Sequence, residues 1–92
     1  MFEFHWDNRK AASNLVKHKI TFSEAASIFS DPMATTYPDG EHSHGEPRFL
    51  TFGHSVQGRL LVVSHTEAGN SIRIINARRV TRDERKIYEK NQ

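Results

Sequence analysis

The stretch "IRIINARRVTRDERKIY", residues 72–88, decides how the chain is read. Ile72, Ile74 and Ile75 mark a buried strand that ends on two adjacent guanidiniums, Arg78 and Arg79. Thr81 with Glu84 then forms a capping box, which opens a helix over about residues 82–90. A strand that ends on fixed positive charge and turns straight into a helix sets guanidiniums beside free backbone N–H groups. That combination suits an anion.

Working outward, "RLLVVSHT" (59–66) precedes "SIRIINAR" (71–78), and the break "EAGN" between them suits a hairpin turn. A two-residue loop puts odd positions of the first strand on the same face as even positions of the second. One face is then expected to hold Arg59, Leu61, Val63, His65 and Glu67 with Ile72, Ile74, Asn76 and Arg78. The other holds Leu60, Val62, Ser64 and Thr66 with Arg73, Ile75, Ala77 and Arg79. Apolar centres on both faces imply a pair covered on both sides. Arg59 opens one strand and Arg78 closes its neighbour, with Arg79 at the corner, so all three should meet at the open end of the hairpin. Such a group needs either protein carboxylates or a phosphate for its counter-charge.

The N-terminal half reads more simply. "FEFHW" (2–6) alternates as a half-buried strand, and Asp7 caps a helix over about residues 8–18. "TFSE" (21–24) is a second capping box, followed by Phe22, Ala25, Ala26 and Phe29 at helical spacing, and Pro32 stops the helix. A short strand "ATTY" (34–37), a polar loop "PDGEHSHGEP" (38–47) and a strand "RFLTFGH" (48–54) lead to the break "SVQG". The order is β-α-α-β-β-β-β-α. This predicts one α+β domain over residues 1–92: an antiparallel sheet with two N-terminal helices and one C-terminal helix.

Composition narrows the chemistry. A chain of 92 residues with 36% apolar and 26% charged side chains suits one modest folded core. It has no cysteine, which excludes disulfides and thiolate metal sites. No run approaches a membrane span or a signal peptide, so a cytoplasmic setting is expected. Residues 1–46 carry four basic and seven acidic side chains, whereas residues 47–92 carry nine basic and four acidic. A basic half points to a polyanionic partner such as nucleic acid, or more plainly to a solvated charged face. The "HSH" of His42 to His44 matches no strong zinc spacing and is read as a solvated loop, leaving no metal or cofactor expected. Tyr88 is placed near the arginines, where positive charge would lower the phenol's pKa for proton exchange, unless its ring simply packs on the core.

The run "RLLVVSHTEAGNSIRIINARRVTRDERKIYE" (59–89) resembles the C-terminal half of the BrnT toxins of bacterial type II toxin–antitoxin systems. The run "FEFHWDNRKAASNLVKHKITFSEAASIFSDP" (2–32) resembles their N-terminal half. The chain departs from the family in two places: Lys19 follows "KH" where the family has glycine, and "NARRVT" stands for its "SARRAT". The resemblance implies a RelE-like fold and metal-independent RNA cleavage that arrests translation. It also implies neutralisation by a BrnA-type ribbon-helix-helix antitoxin, through which alone operator DNA would be engaged.

On that footing Arg59, Arg78 and Arg79 are expected to clamp phosphate, since guanidinium is a poor proton carrier. Proton transfer falls to Tyr88, His65 or Glu67. His65 lies roughly 13 Å along the strand from the partner of Arg78, so the arginine end with Tyr88 ranks first and His65 with Glu67 forms a second cluster. Lys17, His18, Arg73 and Arg82 are candidate RNA contacts, although Lys17 and His18 also suit a helix C-terminus. A non-catalytic module that binds RNA or an acidic partner through the same arginines is the alternative.

Overall fold

The computed structural model describes residues 1–42 and 45–90. Its elements are β1 (Glu3–Trp6), α1 (Asn8–His18), α2 (Phe22–Ser27), β2 (Thr35–Pro38), β3 (Phe49–His54), β4 (Leu60–Ala68), β5 (Ser71–Arg79) and α3 (Arg82–Lys90). Short 3₁₀ segments follow α2 at Ile28–Ser30 and precede β3 at Gly40–His42. Within the polar "HSH" loop, Ser43 and His44 lie outside the described residues. No helix of the described residues is long and apolar enough to cross a membrane.

The strands form one sheet in the order β1-β5-β4-β3-β2. Consecutive strands β2 to β5 pair antiparallel, but β1 runs parallel to β5. The sheet is therefore mixed rather than wholly antiparallel. Parallel neighbours need a long crossover, and everything between β1 and β5 supplies it.

Both faces are covered. On one, Ile20, Phe22, Ala25 and Ile28 pack on Leu61, Val63, Ile72, Ile74 and Ala77. On the other, Tyr88 of α3 packs with Phe52, Leu60 and Val62. Residues 60–66 are consequently buried without a break. On α3 it is Tyr88, 5% exposed, that faces the sheet, whereas Ile87 is 39% exposed.

The hairpin has the expected two-residue turn, with Ala68 opposite Ser71 and Glu67 opposite Ile72. Between His65↔Ile74 and Ser64↔Asn76 the pairing slips by one, leaving Ile75 as the extra residue of a bulge. Beyond it the faces exchange. Arg78 stands opposite Val62 on the α3 side, and Arg79 opposite Leu61 on the α1–α2 side, the reverse of the unbulged expectation.

β1 pairs only with residues 71–74, so the second half of β5 has no strand on that edge. Asn14 of α1 takes the strand's place. Its Oδ1 accepts from the Ala77 N–H at 2.9 Å, and its Nδ2 donates to the Ala77 carbonyl and the Ile20 carbonyl, each at 2.9 Å. α1 ends at Lys19 in the left-handed region, φ 60°, with its N–H on the Leu15 carbonyl. A non-glycine residue costs about 1 kcal/mol there, and the chain tolerates it.

Candidate active site

The three arginines expected to meet at the open end of the hairpin do not form one cluster. Arg59 comes from just before β4 and leans toward α2. Its Nε donates to Glu24 Oε2 at 2.8 Å, one Nη donates to Glu24 Oε1, and the same nitrogen reaches the Lys19 carbonyl at 3.3 Å. Ser55 Oγ also donates to Glu24 Oε2, at 2.7 Å. The Arg59 hydrogen bonds hold the Glu24 carboxyl below its usual range despite burial, with help from Ser55 and the charge of Arg79. The "TFSE" box is thus only half a box. The Glu24 N–H bonds Thr21 Oγ1, but the Glu24 side chain is committed to Arg59.

Arg78 has a different acid. Its two terminal nitrogens bind the two oxygens of Glu84, both at 2.8 Å. Glu84 also completes the second capping box, accepting from the Thr81 N–H at 2.9 Å. The Arg78 hydrogen bonds pull the Glu84 pKa down to about 2, against the opposing effect of burial.

The side chain of Arg79 makes no hydrogen bond or ion pair among the described residues, and the same holds for the side chain of Arg85. Together with Arg59 they line an open depression of about 250 Å³, whose remaining walls are Gly58, Leu60 and Val80. The cluster is therefore Arg59, Arg79 and Arg85, with Arg78 turned to the opposite face. Arg85 escapes a sequence reading because its direction depends on how α3 leaves the strand, and no short spacing reports that angle.

Tyr88 is not beside this depression. Its hydroxyl donates to Asp31 Oδ2 at 2.8 Å and lies 3.1 Å from His54 Nδ1. Burial raises the Asp31 pKa, but donors from the His54 and Met33 backbones and from Tyr88 outweigh it and leave it lowered. The phenol thus faces a carboxylate and an imidazole rather than guanidiniums. Asp31 and His54 carried no sequence signal, because 22 intervening residues and two strands bring them together.

His65 is fully buried. Its Nε2 bonds Thr51 Oγ1 at 2.7 Å, Phe49 stacks on the ring and Phe29 meets it edge-on. Burial pushes its pKa down to about 4. It has no surface with which to touch RNA. Glu67 lies 3.7 Å from His65 Nδ1 and is exposed at the hairpin tip, away from the arginines. Arg73 pairs with Glu46 at 2.6 Å, and Arg82 is exposed on the first turn of α3. Lys17 and His18, in contrast, line a groove of about 480 Å³ between α1 and β5 with Lys10, Asn76 and Arg78. Among the described residues no group of three or more His, Asp or Glu side chains is placed to hold a metal.

This architecture has a solved counterpart. The crystal structure of the Brucella abortus ribonuclease toxin BrnT matches 89% of this chain and 100% of its own, with a TM-score of 0.67 and 19% sequence identity. At that identity the match speaks for the shared fold. No curated protein sequence matches the chain. A family model described as ribonuclease toxin, BrnT, of type II toxin–antitoxin system matches residues 6–84. The chain belongs to the BrnT family of ribonuclease toxins of type II toxin–antitoxin systems.

Proposed function

We propose that the chain cleaves RNA without a metal at the depression lined by Arg59, Arg79 and Arg85. One observation carries this: three guanidiniums, from the residue before β4, from β5 and from α3, share one open recess, and the side chains of two of them make no ion pair among the described residues. In-line attack by the ribose 2′-oxygen builds extra negative charge on the phosphorus-bound oxygens. Fixed guanidiniums stabilise that charge more than they stabilise the starting diester, which is what lowers a barrier. Arg59 is held rigid by Glu24, so its position does not have to be found on binding.

The 2′-hydroxyl loses its proton to water, the new bond to phosphorus forms, and the bond to the 5′-oxygen breaks. That oxygen is protonated from water, leaving a 2′,3′-cyclic phosphate and a 5′-hydroxyl. The guanidiniums remain charged throughout. Tyr88, His65 and Glu67 have no part in this version, since none of them lines the recess. Acting as one domain in the cytoplasm, the toxin would arrest translation by cutting RNA. A BrnA-type ribbon-helix-helix antitoxin would neutralise it and carry the complex to operator DNA.

The test is cleavage of RNA by purified protein in EDTA. The expected result is product with cyclic phosphate ends, slowed about 100- to 1,000-fold by Arg79→Ala or Arg85→Ala at unchanged melting temperature. Arg59→Ala is a poor probe, because it strands the Glu24 carboxylate, whose side chain is only 2% exposed. Activity that vanishes with EDTA, or full activity in the Arg79→Ala/Arg85→Ala protein, overturns the proposal. Tight binding of intact RNA by the native chain would make it a binding module instead.

A further inference from the structure

The groove between α1 and β5 has a lining that the recess does not explain. Lys10, Ser13, Asn14 and Lys17 form one stripe of α1, with His18 at its end; Ile75, Asn76 and Arg78 of β5 form the opposite wall. No acidic side chain is among these residues. The groove exists because β1 is short. A longer β1 would pair with residues 75–79 and fill the space, whereas here Asn14 satisfies the edge from above and leaves it open.

We infer that this groove is a track for the backbone of single-stranded RNA, flanking the cleavage recess. The inference rests on the reading of the chain as an RNA-cleaving enzyme and adds a second binding site to it. Lys10 and Lys17 are two helical turns apart, about 10 Å along α1. A stacked strand carries a phosphate about every 3.4 Å, so the stripe spans more than one. Arg78 and Arg79 connect the two sites. They are successive residues at the end of β5 whose side chains leave on opposite faces, Arg78 to the groove and Arg79 to the recess. A strand that bends round this corner meets both. Asn76 and Ser13 add neutral hydrogen-bonding groups, and Arg78 holds its Glu84 pair while 39% of its side chain stays exposed. An acidic protein segment is the competing occupant. RNA is favoured because Arg78 of the groove is the chain neighbour of Arg79 of the recess, which already has to hold a phosphodiester, and because the lining is basic, with Glu84 beside it committed to Arg78.

The experiment measures the affinity of a 2′-O-methyl RNA 12-mer, which cannot be cleaved, across a salt series. The proteins are native, Lys10→Ala/Lys17→Ala, and a charge control, Lys86→Ala/Lys90→Ala, on α3. The expected result is a loss of about 10-fold or more at low salt for the groove variant. Its slope of log K against log salt should also be shallower by about 1.4, at roughly 0.7 per phosphate contact. An affinity and slope no different from the charge control overturn the inference. So does intact RNA affinity with lost binding of poly-glutamate, which would assign the groove to an acidic protein. Cleavage by the Arg79→Ala/Arg85→Ala protein is measured in parallel. If that cleavage persists while the groove variant loses RNA, the recess reading falls and the groove stands; the opposite pattern removes only the groove.

Discussion

At the scale of single residues, Asn14 shows how much one side chain can replace. β5 lacks a strand beside its second half, and a bare edge there would leave the Ala77 N–H and carbonyl buried and unpaired. Asn14 supplies one acceptor and two donor positions from a side chain 5% exposed. Asn14→Leu keeps the volume and removes all three bonds. The expected loss is about 3 kcal/mol, read as a lower urea midpoint at unchanged slope, because buried amide groups left unsatisfied cost about 1–3 kcal/mol each. A midpoint within error of native would mean the edge is satisfied some other way. Nothing in "AASNLV" announces this role, since an asparagine on a helix reads as a solvated residue until the short β1 is known. The role of Glu24 is hidden for a similar reason. Local spacing assigned it to a cap, while a partner 35 residues away claimed its carboxylate.

At the scale of elements, most of the fold was legible. Strand alternation, two capping boxes and the glycine-bearing turns located every helix and strand to within a few residues. Two features were not legible. The parallel pairing of β1 is decided by which edge of the finished sheet is free, and no local pattern encodes that. The bulge at Ile75 is equally silent in "IRIINAR", yet it controls the site, because a one-residue slip exchanges the faces of everything after it. That exchange is why Arg78 and Arg79 are found on faces opposite to those expected, and why the arginine group is completed by Arg85. Deleting Ile75 tests the claim at this scale. Removing the extra residue leaves Asn76 opposite Ser64, Ala77 opposite Val63 and Arg79 opposite Leu61, so every face is kept without the bulge. The expected outcome is a chain that still melts cooperatively by circular dichroism. A deletion variant with no cooperative transition would show that Ile75 does more than shift the register of the residues after it.

At the scale of the whole molecule, the buried titratable groups set how the fold responds to acid. His65 sits in the core between Phe49 and Phe29, neutral, with its pKa pushed down to about 4 from an ordinary value of 6.5. Between those values the unfolded chain binds a proton that the folded chain refuses. Stability is therefore complete above about pH 6.5 and declines as pH falls toward 4, by about 3 kcal/mol for a shift of that size. Glu84, lowered to about 2, and Glu24 and Asp31, both lowered, respond in a later window. Their contribution is intact above the ordinary carboxylate range and is lost as pH drops through it. Acid unfolding should thus proceed in two stages, histidine first and ion pairs second. Urea titrations at pH 7.5, 6, 5 and 4.5 on native protein and on His65→Phe separate them. Phenylalanine keeps the ring packing, and Thr51 retains Thr36 as a hydroxyl partner at 2.7 Å. The native chain should lose stability steadily over that series, while His65→Phe should lose most of that dependence and still weaken below pH 4.5. Equal slopes for the two proteins would show that the core imidazole is not what makes this fold sensitive to mild acid.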